Sequence, residues 1–228
     1  MIMAAHQPQY LPWLGYFHKM ASCDVYVYLD DVQYKKREFQ NRNKIRVKDG
    51  SQWLTVPVVT KNCYYQEIRE VAIDPTSDWG KDHWTAVSLA YSKALFFKSH
   101  AGELETFYRK KWGGLAEMSE ALIEFHRRLL EIDTPIVRSS EFHVRSKKTE
   151  RLVALCLAVG ADTYLSGQGA RDYLDESLFA RAGLKVIYQE FKHPEYPQAY
   201  PGFEPYMAAL DLLLNCGPES RNILLPKN

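Results

Sequence analysis

Apolar residues come in short blocks from the start of the chain. Met1 to Ala5 is an apolar run with the length of a buried strand. Leu14, Phe17 and Met20 then recur at spacings of three, the stripe of an amphipathic helix, and Val25 to Leu29 is a second apolar run. Strand, loop, helix and strand within thirty residues predict a βαβ unit with parallel pairing and a right-handed crossover. Lys44 to Val47 and Gln52 to Val58 flank Asp49-Gly50, a hairpin signal, so an antiparallel excursion is expected there. From Trp79 to about Arg128 the pattern is helical. Trp84, Val87, Leu89 and Tyr91 mark one segment, and Leu115, Met118, Leu122, Phe125 and Leu129 mark a second that faces the core. After Pro135 the βα alternation resumes, with Ile136 to Val137, Thr163 to Leu165 and Val186 to Tyr188 as strands and Thr149 to Val159 as a helix. Gly160 and Gly183 stand where helix C-caps belong, and a last helix is predicted over Tyr206 to Asn215, stopped by Gly217-Pro218. The pattern predicts an α/β fold, with a mainly parallel sheet, helices on both faces and a β-hairpin excursion near residues 43 to 58.

A chain of 228 residues fits one domain spanning 1–228 with a substantial core. No stretch approaches the roughly 18 to 20 apolar residues of a spanning helix, and the N-terminus lacks the features of a signal peptide. A cytoplasmic protein without membrane partners is therefore expected. Cys23, Cys63, Cys156 and Cys216 show no CxxC spacing, so neither a metal centre nor a disulfide framework is suggested. With 29 basic and 28 acidic residues there is no global nucleic-acid footprint, although a local one is compatible with the sequence.

Four constellations carry candidate chemistry. The first predicted strand runs into His6, Gln7, Pro8, Gln9, Tyr10, Pro12, Trp13 and Gly15, where two prolines hold polar side chains in a fixed loop. Ligands in open α/β sheets sit beyond the carboxyl ends of strands. The alternative is a loop that only packs, with Tyr10 and Trp13 as core. Asp30-Asp31-Val-Gln33 ends the second strand, and one of its carboxylates suits Mg²⁺, a ribose hydroxyl or a general-base role. Lys35 to Lys48 holds seven basic residues against one acidic, with Gln40, Asn41 and Asn43 among them and Phe39 for stacking, a segment suited to phosphates or equally to a solvated hairpin face. Finally, in Tyr164-Leu-Ser-Gly-Gln-Gly-Ala-Arg-Asp-Tyr173, Gly167 and Gly169 permit close backbone approach, Ser166 and Gln168 offer hydrogen bonds, and Arg171 can clamp an anion. Alternatively the glycines only make the turn and Arg171 pairs with Asp175. Among the histidines, His6 and His18 are best placed for acid–base work.

Taken together, these segments resemble the WbqC-like family. The resemblance rests on HQPQYLPWLGYFHKM at His6 to Met20, LDDVQ at Leu29 to Gln33, NRNKIR at Asn41 to Arg46, TVPV at Thr55 to Val58, GADTYLSGQGARDYLD at Gly160 to Asp175, and YPQ through GFEPYMAALDLLLNCG at Tyr196 to Gly217. Members occur in bacterial O-antigen and surface-polysaccharide gene clusters, and the resemblance implies glycine transfer to a sugar. A more distant similarity is to HIGH-type nucleotidyltransferases. Trp13-Leu-Gly-Tyr16 stands where H-x-G-H would, and Ser166 to Arg171 keeps a serine-to-arginine spacing. Tryptophan and tyrosine replace the histidines there, and glutamine replaces a threonine.

The leading expectation is a transferase of surface-polysaccharide synthesis that attaches a glycyl or other aminoacyl group to an amino sugar. His6 or Asp31 would be the base, and Gln7, Tyr10 and the Gly167 to Gly169 backbone would donate to the oxyanion. Arg42, Lys44 and Arg171 would clamp phosphate, with Trp13, Tyr16, Asp30, Gln33, Asn41, Ser166 and Gln168 completing the site for a nucleotide sugar or amino sugar. A second expectation is an adenylating or nucleotidyltransferase-like enzyme using ATP and Mg²⁺ as cofactors. The third is a non-catalytic carbohydrate- or RNA-binding protein, with Tyr10, Trp13, Tyr16 and Phe39 as stacking platforms.

Overall fold

The computed structural model describes residues 1–226. In chain order it runs β1 (Ile2–His6), α1 (Leu14–Ala21), β2 (Val25–Tyr28), β3 (Arg42–Val47), β4 (Gly50–Thr55), α2 (Trp79–Tyr91), α3 (Phe97–Arg109), α4 (Leu115–Leu129), β5 (Ile136–Arg138), α5 (Lys148–Val159), β6 (Thr163–Ser166), α6 (Glu176–Arg181), β7 (Lys185–Tyr188), α7 (Ala209–Cys216) and α8 (Ser220–Leu224). The chain packs as two compact units. One comprises residues 1–7, 15–32 and 132–192, and the other residues 8–14, 33–131 and 193–228.

The first unit is built on a five-stranded sheet of order β5-β2-β1-β6-β7, with every neighbouring pair parallel. This is the predicted α/β architecture. From β1 the chain steps outward through β2 to β5, then returns to the other side of β1 for β6 and β7. Successive side chains of a strand face opposite ways, so β1 divides its residues between two layers. Met3 and Ala5 join Leu155 and Cys156 of α5, Phe179 of α6 and Tyr164 in one apolar core. On α1, Tyr16 sets its ring edge-on to His6 at 5.1 Å and to Tyr26 at 5.5 Å. Gly160 ends α5 at φ +75°, the left-handed C-cap that glycine adopts without strain.

The second unit holds the antiparallel hairpin of β3 and β4 and the helices α2, α3, α4, α7 and α8. Val47 pairs with Gly50, so the hairpin turns through Lys48-Asp49, and Gly50 follows at φ +101°. A turn followed by a left-handed glycine has the form of a G1 bulge. The second strand ends at Thr55, not Val58. Val58 instead makes an isolated bridge to Ile73. Leu89, one of the apolar positions that mark the first helical segment, is 72% exposed. It lies about 200° around the helix from Val87, while His83, Val87, Ala90 and Tyr91 form the buried face. The last predicted helix begins at Ala209, not Tyr206. Tyr206 has φ +61°, and the Ala208 N–H is drawn to the Lys44 carbonyl, which keeps this stretch extended. Among the described residues no helix is long and apolar enough to cross a membrane.

Candidate functional site

The strand order reverses between β1 and β6, and in open α/β sheets the crevice beyond the carboxyl ends at that reversal is where ligands bind. Pairing of β1 with β6 stops at Ala4↔Leu165, whereas pairing with β2 continues to His6↔Tyr28. The two central strands therefore part just before His6 on one side and Ser166-Gly167 on the other.

Carbonyls of β1 alternate in direction. Those of Ile2 and His6 accept from the N–H groups of Asp24 and Leu29, which flank β2, and that of Met1 accepts from Thr163. By this alternation the Ala5 carbonyl points toward β6, and it is taken instead by Nζ of Lys19 at 3.0 Å. Lys19 reaches from α1 into the plane of the sheet and is only 6% exposed. Burial lowers its ammonium to about 8. Beside it, burial and then the Lys19 charge lower His6 to about 4, so the imidazole is neutral at pH 7. His6 Nδ1 lies 3.2 Å from the Gln7 carbonyl, which can only accept. Nδ1 therefore carries the proton, and Nε2 is the acceptor. Tyr16 is buried, so it serves as a wall that orients His6 and not as an open stacking platform.

The loop leaving β6 is tied to the end of β7 and to α1. Arg171 Nε donates to Gln168 Oε1 at 2.7 Å, and the guanidinium lies 3.9 Å from the centre of the Tyr188 ring. Gln168 Nε2 donates to the Gln189 carbonyl at 2.9 Å, and Gln189 Nε2 reaches Gly15 O at 2.8 Å and His18 Nδ1 at 3.0 Å. Asp175 caps α6 through the Ser177 N–H at 3.0 Å, and Arg171 makes its contacts with Gln168 and Tyr188 instead. A Cβ built on Gly167 or Gly169 would meet nothing within 4 Å, and neither glycine has positive φ. Neither the fold's sterics nor its dihedrals call for glycine at these two positions. Ser166 is buried, with its hydroxyl 3.4 Å from the Gly167 carbonyl.

Asp30 and Asp31 are both committed to protein partners. Asp30, 2% exposed, accepts from the Ser139 hydroxyl at 3.2 Å, the Ser140 N–H at 3.0 Å and the Ser140 hydroxyl at 2.6 Å. Asp31 accepts from the Ser139 hydroxyl and pairs with Arg151. Although burial opposes it, the Ser139 and Arg151 hydrogen bonds hold the Asp31 carboxyl below the usual range. A carboxylate neutralised by arginine and one enclosed by hydroxyls are poorly suited to Mg²⁺. Among the described residues no group of three His, Cys, Asp or Glu side chains is arranged to hold a metal ion.

The remaining predicted residues lie in the second unit. Tyr10 is fully buried, with its hydroxyl 2.8 Å from His83 Nδ1 and 3.1 Å from the Tyr108 hydroxyl, so it is a core residue as packed here and not an open oxyanion donor. Trp13 is half-buried, its main chain bridging Ala208 and its ring 6.5 Å from that of Tyr206. Asn41 donates to the Val56 carbonyl at 2.8 Å, and Gln33 donates to the Tyr64 carbonyl at 3.1 Å. Arg42 and Lys44 share the face of Trp53, at 4.6 and 5.4 Å from the ring centre. The basic hairpin thus spends much of its charge on its own aromatic ring and carbonyls.

Lys19 was absent from the sequence-based candidates. A separate depression of about 500 Å³ runs along α6 and β7, lined by Glu176, Ser177, Ala180 and Leu184 to Ile187, and contains none of these groups.

The sequence profile of the WbqC-like protein family matches residues 7–223. An uncharacterized protein of Mycobacterium tuberculosis is 38% identical over 224 residues, covering 97% of this chain and 96% of its own length. No solved structure matches the chain at a significant level. The match over nearly the whole length establishes that the chain belongs to the WbqC-like protein family.

Proposed function

We propose that this protein is a transferase of surface-polysaccharide synthesis that holds a nucleotide-linked amino sugar in the crevice between β1 and β6 and attaches an aminoacyl group, glycyl in the simplest case, to its amine. The observation that carries the reading is the reversal of strand order at that point, with His6 ending one strand and the Ser166 to Gly169 loop leaving the other. Arg171 supplies a cation for phosphate, and the open space at the Cα atoms of Gly167 and Gly169 leaves room for a ligand beside the backbone. As the amine nitrogen bonds to the activated carbonyl carbon, His6 Nε2 takes its proton, and the leaving group departs with the electron pair of its bond to that carbon. Main-chain donors of the loop and the Gln7 amide face the developing oxyanion. His6 suits the base role better than Asp31, whose charge is already used by Arg151.

Thermal unfolding against UDP- and dTDP-linked amino sugars, ATP and glycine tests this. A ligand at a hundredfold over its Kd adds about 2.7 kcal/mol to native stability. Amino-sugar nucleotides should raise the melting temperature, Arg171→Ala should abolish the rise, and His6→Ala should keep the rise but lose turnover. No rise with any nucleotide overturns the reading. Ser166 and Arg171 on one loop at the crevice also support a second reading, adenylation of a carboxylate, and release of pyrophosphate from ATP separates the two.

A further inference from the structure

The ammonium of Lys19 is buried without a counter-charge. One of its three N–H bonds reaches the Ala5 carbonyl, and the Tyr164 ring lies 5.9 Å away. The ionisable group that bears most on its charge is Cys23, whose thiol burial pushes up to about 12 and so keeps neutral. His6 is neutral as well. Among the described residues no carboxylate stands in ion-pair range of Lys19. A buried ammonium in this condition is costly to a fold, yet here it sits where the pairing of β1 and β6 stops.

We propose that Lys19 is the anion-binding group at the floor of the crevice, and that its ammonium takes a phosphate oxygen of the bound ligand. The ligand class follows from the neighbours. The neighbouring loop that leaves β6 carries a cation, Arg171, and two glycines, Gly167 and Gly169, with open space at their Cα atoms. Two cations and a glycine backbone match a phosphate or diphosphate group better than a single carboxylate charge. The inference rests on the reading above only in taking the crevice as the ligand site. It makes Lys19 a binding residue, and a lysine that merely clamps α1 to β1 would behave differently.

Inorganic pyrophosphate is the probe, with titration calorimetry and thermal unfolding of the wild type, Lys19→Met and Lys19→Gln. Methionine keeps the stem and removes the charge, and glutamine keeps an N–H for Ala5. The wild type should bind pyrophosphate, both variants should lose at least tenfold in affinity, and neither should melt lower than the wild type. The ratio of wild-type to Lys19→Met affinity should fall as pH rises from about 7 to about 9. His6, Cys23 and Tyr164, the titratable groups that face Lys19, keep their charge over that interval. Variants that bind as the wild type does, or a wild type that binds no pyrophosphate, overturn the assignment. A large fall in melting temperature of both variants assigns Lys19 to anchoring α1 instead. If nucleotide sugars bind equally to all three, the proposed function survives and Lys19 does not. If pyrophosphate binding depends on Lys19 while nucleotide sugars do not bind, the anion site stands and the proposed function falls.

Discussion

Two buried charged side chains, Lys19 in the first unit and Asp211 in the second, are treated in opposite ways. In the second unit Asp211 is fully buried on α7, yet Gln198 Nε2 donates to it at 2.8 Å, the hydroxyls of Tyr91 and Tyr196 stand beside it, and the Arg46 charge is near. In the first unit Lys19 has one backbone carbonyl and an aromatic ring. A buried charge surrounded by its own partners knits a core. One left short of partners at the end of a parallel sheet marks the place where something else is expected to bind. The same contrast holds for hydroxyls and amides. Tyr10, His83 and Tyr108 satisfy one another in the second unit, while the Cα atoms of Gly167 and Gly169 in the first face open space.

Acid should have the largest effect, and it falls more heavily on the second unit. Burial lowers His83 and His126, and likewise His6 of the first unit, to about 4 from an ordinary 6.5. The unfolded chain then binds more protons than the folded one between those values, so the stability is complete above pH 6.5 and is lost as pH falls toward 4. The loss is on the order of 3 kcal/mol for each histidine. Denaturant unfolding at a series of pH values measures it, and a flat profile from 6.5 to 4 would contradict the burial of these rings as neutral groups. Next in size is Asp211→Ala, which strands Gln198 and the neighbouring hydroxyls. It should cost about 3 kcal/mol and lower the melting temperature by roughly 6 to 12 °C. An unchanged melting temperature would remove Asp211 from the knitted core. The smallest effect is expected at the site itself. Gly167→Ala and Gly169→Ala require no positive φ and meet no neighbour, so stability should change by less than about 0.5 kcal/mol while affinity for a nucleotide-linked ligand falls. Loss of stability without loss of affinity would show that these glycines serve the fold.

The parallel half of the fold was legible because its signals are local. Met1 to Ala5 and Val25 to Leu29 are apolar runs bracketing a three-spaced stripe, and they became β1, β2 and α1 with little shift of boundary. Gly160 was readable as a C-cap for the same reason. Leu89 marks α2 without joining its buried face, because a spacing of two residues after Val87 puts it on the far side of the helix, a matter of phase that apolar character alone does not convey. The late start of α7 was hidden because it depends on a hydrogen bond from Ala208 to Lys44, 164 residues earlier in the chain. At the candidate site, His6 and the Ser166 to Arg171 loop were visible as strand-end chemistry. Asp31 looked like a base until Arg151, far along the sequence, proved to be its partner.

By itself the sequence determined the alternation of strands and helices, the hairpin, the family and the two segments that frame the crevice, because each is written in contiguous residues whose periodicity, turn chemistry or motif needs no distant partner. Only the tertiary structure decided which polar groups are spent and which are left over. Tyr10 and Tyr16 were withdrawn into cores, Asp30 and Asp31 were given to Ser139, Ser140 and Arg151, and Lys19 was carried into the gap where β1 and β6 part. The physical reason is that a charge or a hydrogen bond is satisfied by whatever lies within about 3 Å of it, and long-range folding sets that neighbourhood.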